Sequence, residues 1–520
     1  MKIQSVRIKN FRALKDVTIP FDSVTTFIGP NGAGKSTVLH ALDWFFNGKP
    51  GSLTEKDCSF GEASEDIEVQ VTFADLTEKD REALGKYTPE GAATFTAWKR
   101  RSADGTDVLS ANAKGFPEFN VIKTANQEIA AIVEESRAKQ QKVYEEKFQA
   151  QLEVLTTQLN EVVSSYSPGR AVTVSPAEVE LKAPKTTFEV TVLDGTAETA
   201  VERQGHGFQR TILISALQLL AQSGSASADG VICLAIEEPE LFQHPIQAQA
   251  FAKVLRSLVE DPDKCIQVTY ATHSPYFLEA RHFDQVRRLT RSSDETPVVS
   301  VHYATVADVK AKLDGIVSAD VVDRRLDHNV ADQLSIALFA NLAFLVEGST
   351  ESAIFYGIGD RTSHGLLEAA GVSIVSVGSK TSIPLAHAIL SAIGVPAYAL
   401  FDADAGFEVR AKAKNKKQED IDKERNNHAA ENRKLLRYFD IPEEDFPEAV
   451  VGDTVAIFED HLESFLVANW PEWLAACSEI EIATGISLSK NQLAYRTATL
   501  KSAGAVPEML QQILAKVEGK

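Results

Sequence analysis

Short apolar runs alternate with amphipathic stretches along most of this chain. Near the N-terminus, Val17, Ile19 and Phe21 alternate with polar residues, and beyond the run VTTFIG the apolar residues return at helical spacing. Buried-strand runs recur at VICLAI (231–236) and IQVTYAT (266–272), and a second series follows at LAFLVEG, VSIVSVG and AYALFDAD. This alternation of apolar strands and helices predicts α/β domains with mostly parallel sheets covered on both faces.

One segment departs from this alternation. Residues 126–165 contain neither Gly nor Pro. The apolar positions there step by three or four residues, which is the spacing of a short coiled-coil seam and equally of a long helix packed on its own domain. They are Tyr144, Phe148, Leu152, Leu155, Leu159 and Val162. We predict that residues 1–115 and 169–335 form two parts of one α/β domain, and 336–520 a second α/β domain. Residues 116–168 are predicted to be a helical insertion, either a dimerisation arm or a long helix packed on its own domain.

The composition narrows the classes of function. Asp and Glu (73) exceed Lys and Arg (53), so the 520 residues carry a net charge of −20. This excludes a uniformly basic coat for nucleic acid but not a local basic groove. The four cysteines show no zinc-site spacing and no framework of close pairs, as in a reducing compartment. The charged N-terminus lacks an export signal and no apolar run would span a membrane, so we expect a cytoplasmic protein.

A nucleotide site is predicted directly after the first buried strand. The segment GPNGAGKST (29–37) matches the phosphate-binding pattern G-x-x-x-x-G-K-[ST] between a strand and a helix. Its glycines let backbone N–H groups surround the phosphates, Lys35 meets the β- and γ-phosphate oxygens, and the Ser36 hydroxyl faces Mg²⁺. The residues expected to contact the nucleotide are Asn31, Gly32, Gly34, Lys35, Ser36 and Thr37.

Acidic residues and a histidine follow two later strands. The run VICLAI leads into Glu237 and Glu238, which suit an acid on the Mg²⁺ side and a base that orients the attacking water. The strand ending in ATHSP places His273 where its imidazole would reach a γ-phosphate. Upstream, the glycine turn QGHGFQR opens a helix and would form a second anion-binding N-terminus. The residues assigned to this turn are Gly205, Gly207 and Gln209.

In this order, the motifs of residues 1–290 resemble the ABC-type ATPases of the RecF and SMC kind, from NFRALKD through GPNGAGKST, QGHGFQR and AIEEPELFQHP to ATHSPYFL. The resemblance implies ATP as the nucleotide, Glu237 as the Walker B acid, Glu238 as the catalytic base and His273 as the switch histidine. It also implies that Arg12 lies near the nucleotide. Because the QGHGFQR signature completes the site of a second subunit in this family, a homodimer or larger assembly follows. The chain departs from the family in carrying Glu237 where Asp is commoner, and no Q-loop glutamine can be assigned.

A second site is predicted from acids at later strand ends. LAFLVEGSTE puts Glu347 just past a buried strand and Glu351 one helical turn later, so that both face the same side. AYALFDAD presents Asp402 and Asp404 at the end of another strand, where alternate residues project alike. Such carboxylates repel one another unless hard cations lie between them. Two Mg²⁺ or Mn²⁺ ions held here would activate water and stabilise the leaving oxygen of a phosphodiester.

These two acidic motifs resemble a Toprim domain over about residues 340–520. An ABC-type ATPase followed by a Toprim domain is similar to the OLD (overcoming lysogenization defect) family of ATP-dependent nucleases, to which the Gabija nuclease subunit is related. The resemblance implies that Glu347, Asp402 and Asp404 hold one metal ion, while Glu351 and a later acid hold the second.

The resemblance also extends to residues near the C-terminus. Glu463 in EDHLESFL is the better match for the later acid, with Glu459 as its competitor. Lys501 in RTATLKSA matches a lysine that assists the scissile phosphate in this family, and it fits an exposed surface lysine equally well.

A basic run follows the second pair of acids. RAKAKNKK (410–417) carries five Lys and Arg residues and no acid. One interpretation is a solvated loop, and the other is a contact to the DNA backbone through phosphate charge without sequence readout.

The sequence therefore predicts an ATP-regulated, divalent-metal-dependent DNA endonuclease, for which the family resemblance implies a role in prokaryotic anti-phage defence. The expected partners are DNA, a second copy of the chain, and a helicase or other defence-system protein. One alternative is a RecF- or SMC-like DNA-repair ATPase whose Toprim domain does not cut, although the complete acidic set favours cutting. The other is an ATP-binding sensor subunit that is active only with a partner protein.

Overall fold

The computed structural model describes residues 1–61, 64–88, 91–111, 154, 157, 191–194, 197–200, 203, 205, 209, 232–241, 244–260, 266–328, 332–485 and 491–519. The residues named for the predicted coiled-coil seam lie outside this set. The chain divides into two compact units, one of Met1–Val108 with Arg210–Lys520 and one of Leu109–Gln209. The domain boundaries predicted at residues 115, 168 and 335 stay predictions. Among the described residues, no helix is long and apolar enough to cross a membrane.

The strands are β1 Lys2–Phe11, β2 Leu14–Pro20, β3 Val24–Ile28, β4 Ile67–Ala74, β5 Phe95–Arg101, β6 Asp107–Ala111, β7 Thr191–Asp194, β8 Ala197–Ala200, β9 Ile232–Glu237, β10 Ile266–Ala271, β11 Val286–Arg291, β12 Val299–His302, β13 Leu342–Val346, β14 Val372–Ser376, β15 Ala397–Asp402, β16 Val450–Val451 and β17 Val455–Phe458. The α-helices are α1 Lys35–Asn47, α2 Glu78–Leu84, α3 Pro245–Glu260, α4 Val306–Lys312, α5 Ala319–His328, α6 Asp332–Ala337, α7 Ser349–Thr362, α8 Leu366–Ala369, α9 Ile383–Ala392, α10 Phe407–Ala413, α11 Gln418–Tyr438, α12 Leu462–Asn469, α13 Pro471–Thr484, α14 Gln492–Lys501 and α15 Glu508–Val517.

The sheet that carries the phosphate loop, here the nucleotide sheet, has the strand order β12-β11-β3-β10-β9. Strands β11, β3, β10 and β9 are parallel, and β12 is an antiparallel edge strand. Every residue of β3 and β10 is buried, as expected for strands covered on both faces. The predicted parallel α/β layer is confirmed. The strand that ends before His273 lies between the strand of the phosphate loop and the strand of Glu237.

A second sheet in the N-terminal half has the order β2-β1-β4-β5-β6. It is antiparallel at the pairs β1–β2, β1–β4 and β4–β5. Buried and half-buried residues alternate along β4, so only one face of the sheet packs on the core. Strands β7 and β8 form a separate antiparallel pair.

The sheet that carries the predicted metal-binding acids, here the carboxylate sheet, has the order β14-β13-β15-β17-β16. Strands β14, β13, β15 and β17 are parallel, and β16 pairs antiparallel at one edge. Because the carboxyl ends of parallel strands meet at one edge of a sheet, the turns that follow β13, β14, β15 and β17 come together there. This is the edge that holds the predicted acids.

A single hydrophobic core joins the nucleotide sheet to the carboxylate sheet. Ile28 and Val286 of the first belong to the same buried cluster as Leu345 and Phe401 of the second, with side chains of α4, α5 and α6 between them. Arg288 adds polar links, because its buried guanidinium donates to the carbonyls of Gly394 (2.5 Å) and Ala340 (3.3 Å). The two sheets therefore share one buried cluster and the hydrogen bonds of Arg288.

Candidate active sites

The phosphate loop has the backbone that an anion-binding loop requires. Gly29, Gly32 and Gly34 have φ angles of 138°, 77° and 99°, in the region that favours glycine. A Cβ on Gly29 would lie 2.1 Å from the carbonyl oxygen of Leu289. The loop leads directly into α1, which begins at Lys35, so the free N–H groups of the first helical turn adjoin the loop.

Lys35 is buried at the base of this loop. Its Nζ donates to the carbonyl oxygens of Gly29 (2.8 Å) and Pro30 (3.0 Å). Burial lowers the pKa of Lys35, and the negative charge of Glu238 opposes that effect. An anionic phosphate would supply the opposite charge that this buried ammonium lacks. Ser36 is half-buried and Thr37 buried in the next turn, while Asn31 and Gly32 are exposed at the tip of the loop.

The predicted catalytic base and switch histidine lie side by side. Glu238 follows β9, and its backbone N–H donates to the carbonyl of Ala271 at the end of β10 (2.8 Å). One carboxylate oxygen of Glu238 lies 4.0 Å from His273 Nε2. Glu238 has a φ of 44°, a left-handed conformation that is costly for a residue other than glycine and often occurs at functional sites. Glu237 is exposed at the end of β9.

Glu240 is a residue of this site that the sequence reasoning did not single out. Its Oε2 accepts the Thr272 hydroxyl (2.8 Å) and its Oε1 accepts the His273 backbone N–H (2.7 Å). The carboxylate thus ties the turn after β9 to the turn that carries the histidine. The sequence feature that could have pointed to Glu240 is its place as the third acid in the run EEPE.

Of the other residues predicted to contact the nucleotide, Arg12 lies in a turn beside the phosphate loop, whereas Gly205 and Gln209 belong to the other compact unit. A Cβ on Gly34 would lie 3.0 Å from Leu14 Cδ2, so the turn between β1 and β2, which holds Arg12, packs against the phosphate loop. Arg12 Nε donates to Asp57 Oδ1 (3.0 Å). In the other unit of the chain, the backbone N–H of Gln209 donates to the carbonyl of Gly205 (3.2 Å). Gly207 lies outside the described residues.

In the carboxylate sheet, four acids lie together at the carboxyl edge. Glu347 follows β13, Glu351 lies in the first turn of α7, Asp402 ends β15 and Glu463 lies in the first turn of α12. Glu347 Oε1 accepts the backbone N–H of Asp402 (3.0 Å), which joins two neighbouring strands. Glu351 Oε2 accepts the backbone N–H of Gly348 (3.1 Å). Backbone hydrogen bonds therefore orient two of the four carboxylates.

The negative charge of this edge is poorly compensated. Burial raises the pKa of Asp402 to about 9, and the carboxylates of Glu347, Glu351 and Glu463 add to the shift. Burial likewise raises the pKa values of Glu347 and Glu351, with Glu463 adding to the shift of Glu351. Buried carboxylates that repel one another are a donor set that fits a hard divalent cation.

The acids are not arranged as a closed metal cage. Within the described part of the chain, no three His, Cys, Asp or Glu side chains converge as a ready-made ligand group. At Glu347, both carboxylate oxygens accept backbone N–H groups, one from Asp402 (3.0 Å) and one from Lys380 (3.2 Å). Each carboxylate oxygen has a second lone pair for a metal ion, so these bonds and metal binding are compatible.

Asp404 differs from the other acids because Lys380, Arg410 and His428 surround it. Lys380 Nζ donates to Asp404 Oδ2 (2.7 Å), His428 Nδ1 lies 3.2 Å from the same oxygen, and Arg410 Nη2 lies 3.4 Å from Oδ1. Burial alone would raise the pKa of Asp404, but the bonds with His428 and Lys380 outweigh burial and lower it to about 2. The two aspartates of the D-x-D motif therefore have opposite environments.

The basic run is partly neutralised. Its first residues lie in α10 rather than in a loop, so the interpretation as a solvated loop is wrong for that part. Arg410 forms an ion pair with Asp460, and Lys416 pairs with Glu424 (2.7 Å). Lys414 and Lys417 are exposed.

The two residues matched by resemblance near the C-terminus are placed differently. Glu463 lies close enough to Glu351 and Asp402 to raise their pKa values, whereas Glu459 is exposed. Lys501 is exposed at the end of α14. The chain just beyond it contacts Arg361, whose Nη2 donates to Gly504 (2.7 Å). Arg361 is ten residues beyond Glu351 on α7, or ~15 Å along the helix, and the role of Lys501 stays a prediction.

Two family models match the chain. The AAA ATPase domain matches residues 1–167 and 99–278, and the Overcoming lysogenization defect protein-like TOPRIM domain matches residues 338–404. Both matches agree with the resemblances inferred from the motifs.

Similar proteins include nucleases. The chain is 24% identical over 473 residues to the Old nuclease of Escherichia phage P2, covering 78% of this chain and 77% of the relative. It is 23% identical over 466 residues to the OLD nuclease of Thermus scotoductus, covering 77% and 82%. A shorter match, 25% over 183 residues, links it to Endonuclease GajA of Bacillus cereus and covers 33% of this chain and 26% of that protein. Among solved structures, the SMC head domain from Thermotoga maritima matches with 15% identity and a TM-score of 0.31, over 58% of this chain and 100% of that one.

Proposed function

The chain belongs to the OLD family, in which an ABC-type ATPase domain is followed by a C-terminal Toprim domain, and from this premise we propose that it is an ATP-regulated, divalent-metal-dependent DNA endonuclease. The observation that carries the proposal is the set of partly buried, poorly compensated acids at the carboxyl edge of the carboxylate sheet. The similarity to nucleases over most of the chain supports it.

The nuclease chemistry is assigned to these acids. Glu347, Glu351, Asp402 and Glu463 would hold the divalent ions. Bound Mg²⁺ or Mn²⁺ would supply activation of water and stabilisation of the leaving oxygen of a phosphodiester. The chain's own contribution is to orient Glu347 and Glu351 through backbone N–H groups and to hold Asp402, half-buried, beside them.

The ATPase chemistry is assigned to the edge of the nucleotide sheet. Lys35 would meet the β- and γ-phosphates of ATP, and Ser36 with Glu237 would face the accompanying Mg²⁺. Glu238 would orient the attacking water. His273, whose Nε2 lies 4.0 Å from Glu238 Oε1, would contact the γ-phosphate. The buried ammonium of Lys35 and the strained backbone of Glu238 support this assignment.

We assign the regulation by ATP to the contact between the two sheets. The shared core and the Arg288 bonds to Gly394 and Ala340 give the nucleotide sheet a direct route to the carboxylate sheet. By family pattern, the QGHGFQR turn would complete the nucleotide site of a second copy, so the active form would be a homodimer or larger. A prokaryotic anti-phage role, a cytoplasmic location and a helicase or other defence-system partner belong to the same proposal.

The exposed Lys414 and Lys417 are the part of the basic run that remains for the DNA backbone. Contacts to phosphates by lysines of this kind are independent of sequence and weaken with salt. The proposal therefore expects DNA binding that decreases steeply as the salt concentration rises.

A plasmid assay tests the proposal. Supercoiled, linear and single-stranded DNA are incubated with the purified full-length protein and Mg²⁺ or Mn²⁺, with and without ATP. We expect cleavage that EDTA stops and that Asp402→Ala abolishes while ATP binding survives. Asp453→Ala is the matched control, since Asp453 is an exposed acid paired with Lys516, and it should cleave normally. Undiminished cleavage by Asp402→Ala contradicts the proposal.

A further inference from the structure

A buried lysine lies among the acids of the carboxylate sheet. Lys380 follows β14 and is only 4% exposed. Its Nζ donates to the backbone carbonyl of Asp402 (3.0 Å), to Asp404 Oδ2 (2.7 Å) and to Asn432 Oδ1 (3.1 Å). An ammonium has three N–H donors, so all three are used, and two of them go to the D-x-D turn.

The same residue also holds a second strand end. The backbone N–H of Lys380 donates to Glu347 Oε2 (3.2 Å). The residue therefore connects the turn after β14 to the acid after β13 and to the turn after β15. A residue bonded to two acidic strand ends at once fixes the spacing between them.

Asn432 supports this arrangement from α11. It is fully buried, and its Nδ2 donates to the carbonyls of Ala403 and Asp445, both at 2.8 Å. Its amide oxygen accepts the Lys380 ammonium. The D-x-D turn is thus held at the carbonyls of Asp402 and Ala403 and at the side chain of Asp404.

The two aspartates of the turn differ in what their side chains meet. The carboxylate of Asp404 is engaged by Lys380, His428 and Arg410. Among the described residues, no Lys, Arg or His side chain forms an ion pair with Asp402, which lies instead beside the other acids. A carboxylate already neutralised by protein cations gains less from a metal ion than one that faces only acids.

Building on the proposed nuclease function, we propose that Lys380 is a positioning residue of the metal site, which neutralises Asp404 and fixes the D-x-D turn so that Asp402, and not Asp404, presents its carboxylate to the divalent ion. Asp404 then anchors the turn and is not a metal ligand. Lys380 supplies a fixed positive charge where a further cation would otherwise be needed.

Titration with Mn²⁺ alone tests this division of roles. Nucleotide-free full-length protein is stripped with EDTA, dialysed and titrated with Mn²⁺ in a calorimeter. We compare Asp402→Asn with the double variant Lys380→Met/Asp404→Asn, which removes the internal ion pair without changing the net charge. Lys310→Met is the control, because Lys310 forms a surface ion pair with Asp323.

The expected results separate the two aspartates. Asp402→Asn should weaken Mn²⁺ binding the most, because it removes a ligand, whereas the double variant should weaken it clearly less, because it loosens the turn but leaves the carboxylate of Asp402 in place. Lys380→Met alone should melt at a lower temperature in EDTA, and Mn²⁺ should raise its melting temperature more than that of the wild type, because the ion then neutralises Asp404. Lys380→Arg keeps the positive charge, so Mn²⁺ should raise its melting temperature less than that of Lys380→Met.

Two outcomes overturn the inference: a double variant that binds Mn²⁺ as weakly as Asp402→Asn, or a Lys380→Met protein that gains no more from Mn²⁺ than the wild type. If the Lys380 variants do not fold, anomalous diffraction from Mn²⁺-soaked wild-type crystals decides, since a Mn²⁺–Asp404 bond contradicts the inference and a Mn²⁺–Asp402 bond without it supports it. A wild type that binds no Mn²⁺ at these acids refutes the proposed nuclease function itself.

Discussion

The opposite environments of Asp402 and Asp404 predict opposite effects on stability when each is changed to asparagine in EDTA. Burial and neighbouring acids hold the pKa of Asp402 at about 9, against an ordinary 3.8. An acid with a raised pKa in the fold contributes stability only at low pH, and this contribution is lost as pH rises from 3.8 toward 9. At pH 7 the ionisation of Asp402 lowers the free energy of unfolding by about 4 kcal/mol when the full pKa shift is counted. With the higher effective dielectric constant of most protein interiors, this figure falls to about 2 kcal/mol.

For Asp404 the sign is reversed. Burial opposes the cations around it, but His428 and Lys380 prevail and hold its pKa at about 2. This carboxylate therefore stabilises the fold above pH 3.8 and loses the contribution only as pH falls toward 2. Its removal at pH 7 should cost about 1 kcal/mol once its partial exposure to solvent is allowed for.

Thermal unfolding in EDTA checks both signs. At pH 7 Asp402→Asn should melt about 2–4 °C higher than the wild type and Asp404→Asn about 1 °C lower, because a compact unit as large as Met1–Val108 with Arg210–Lys520 shifts by only about 1 °C per kcal/mol. The gain for Asp402→Asn should be larger at pH 8 than at pH 5. If Asp402→Asn melts lower than the wild type, or if its gain does not grow with pH, the electrostatic reasoning about the site is refuted.

Three further predictions concern the nucleotide site. Lys35→Ala should lose ATP binding and hydrolysis, as measured by equilibrium binding of a labelled nucleotide, and unchanged hydrolysis would mean that the site is misplaced. Glu240→Ala should lower the kcat for ATP hydrolysis about 10-fold or more with little change in ATP affinity, because it frees the turn of His273 without touching the phosphate loop. An equal loss of kcat in Glu240→Gln would show that the charge of Glu240 matters as well as its hydrogen bonds. Gly29→Ala should abolish nucleotide binding and lower the melting temperature, because its Cβ would meet the carbonyl of Leu289 at 2.1 Å, and a variant that binds ATP normally would contradict the geometry of the loop.

The parts of the two sites that are contiguous in the chain could be predicted from sequence. GPNGAGKST carries its chemistry in consecutive residues, and the acids of VEGSTE and FDAD follow recognisable strands. The parallel sheets were equally accessible, because apolar runs mark buried strands. The strand order, with β10 between β3 and β9, depends on crossover connections that no local pattern encodes.

The partners of these residues could not be predicted, because they come from distant positions. Lys380 and Asp404 are 24 positions apart, and Lys380 and Asn432 are 52 apart. The charge of Arg410 is visible in the basic run, but its partner Asp460 lies 50 positions later. The sequence thus identifies groups that have charge or ligand chemistry, whereas only tertiary structure shows which of those charges are already neutralised.

The most direct test of the account is metal-dependent cleavage of supercoiled plasmid by Glu347→Ala compared with the wild type, with ATP binding measured on the same preparations. Glu347 connects β13 to β15 through Asp402 and lies among the acids that would hold the metal. The account predicts that the wild type cuts the plasmid with Mg²⁺ or Mn²⁺, and that Glu347→Ala binds ATP normally but does not cut. Cleavage by Glu347→Ala at the wild-type rate would contradict it.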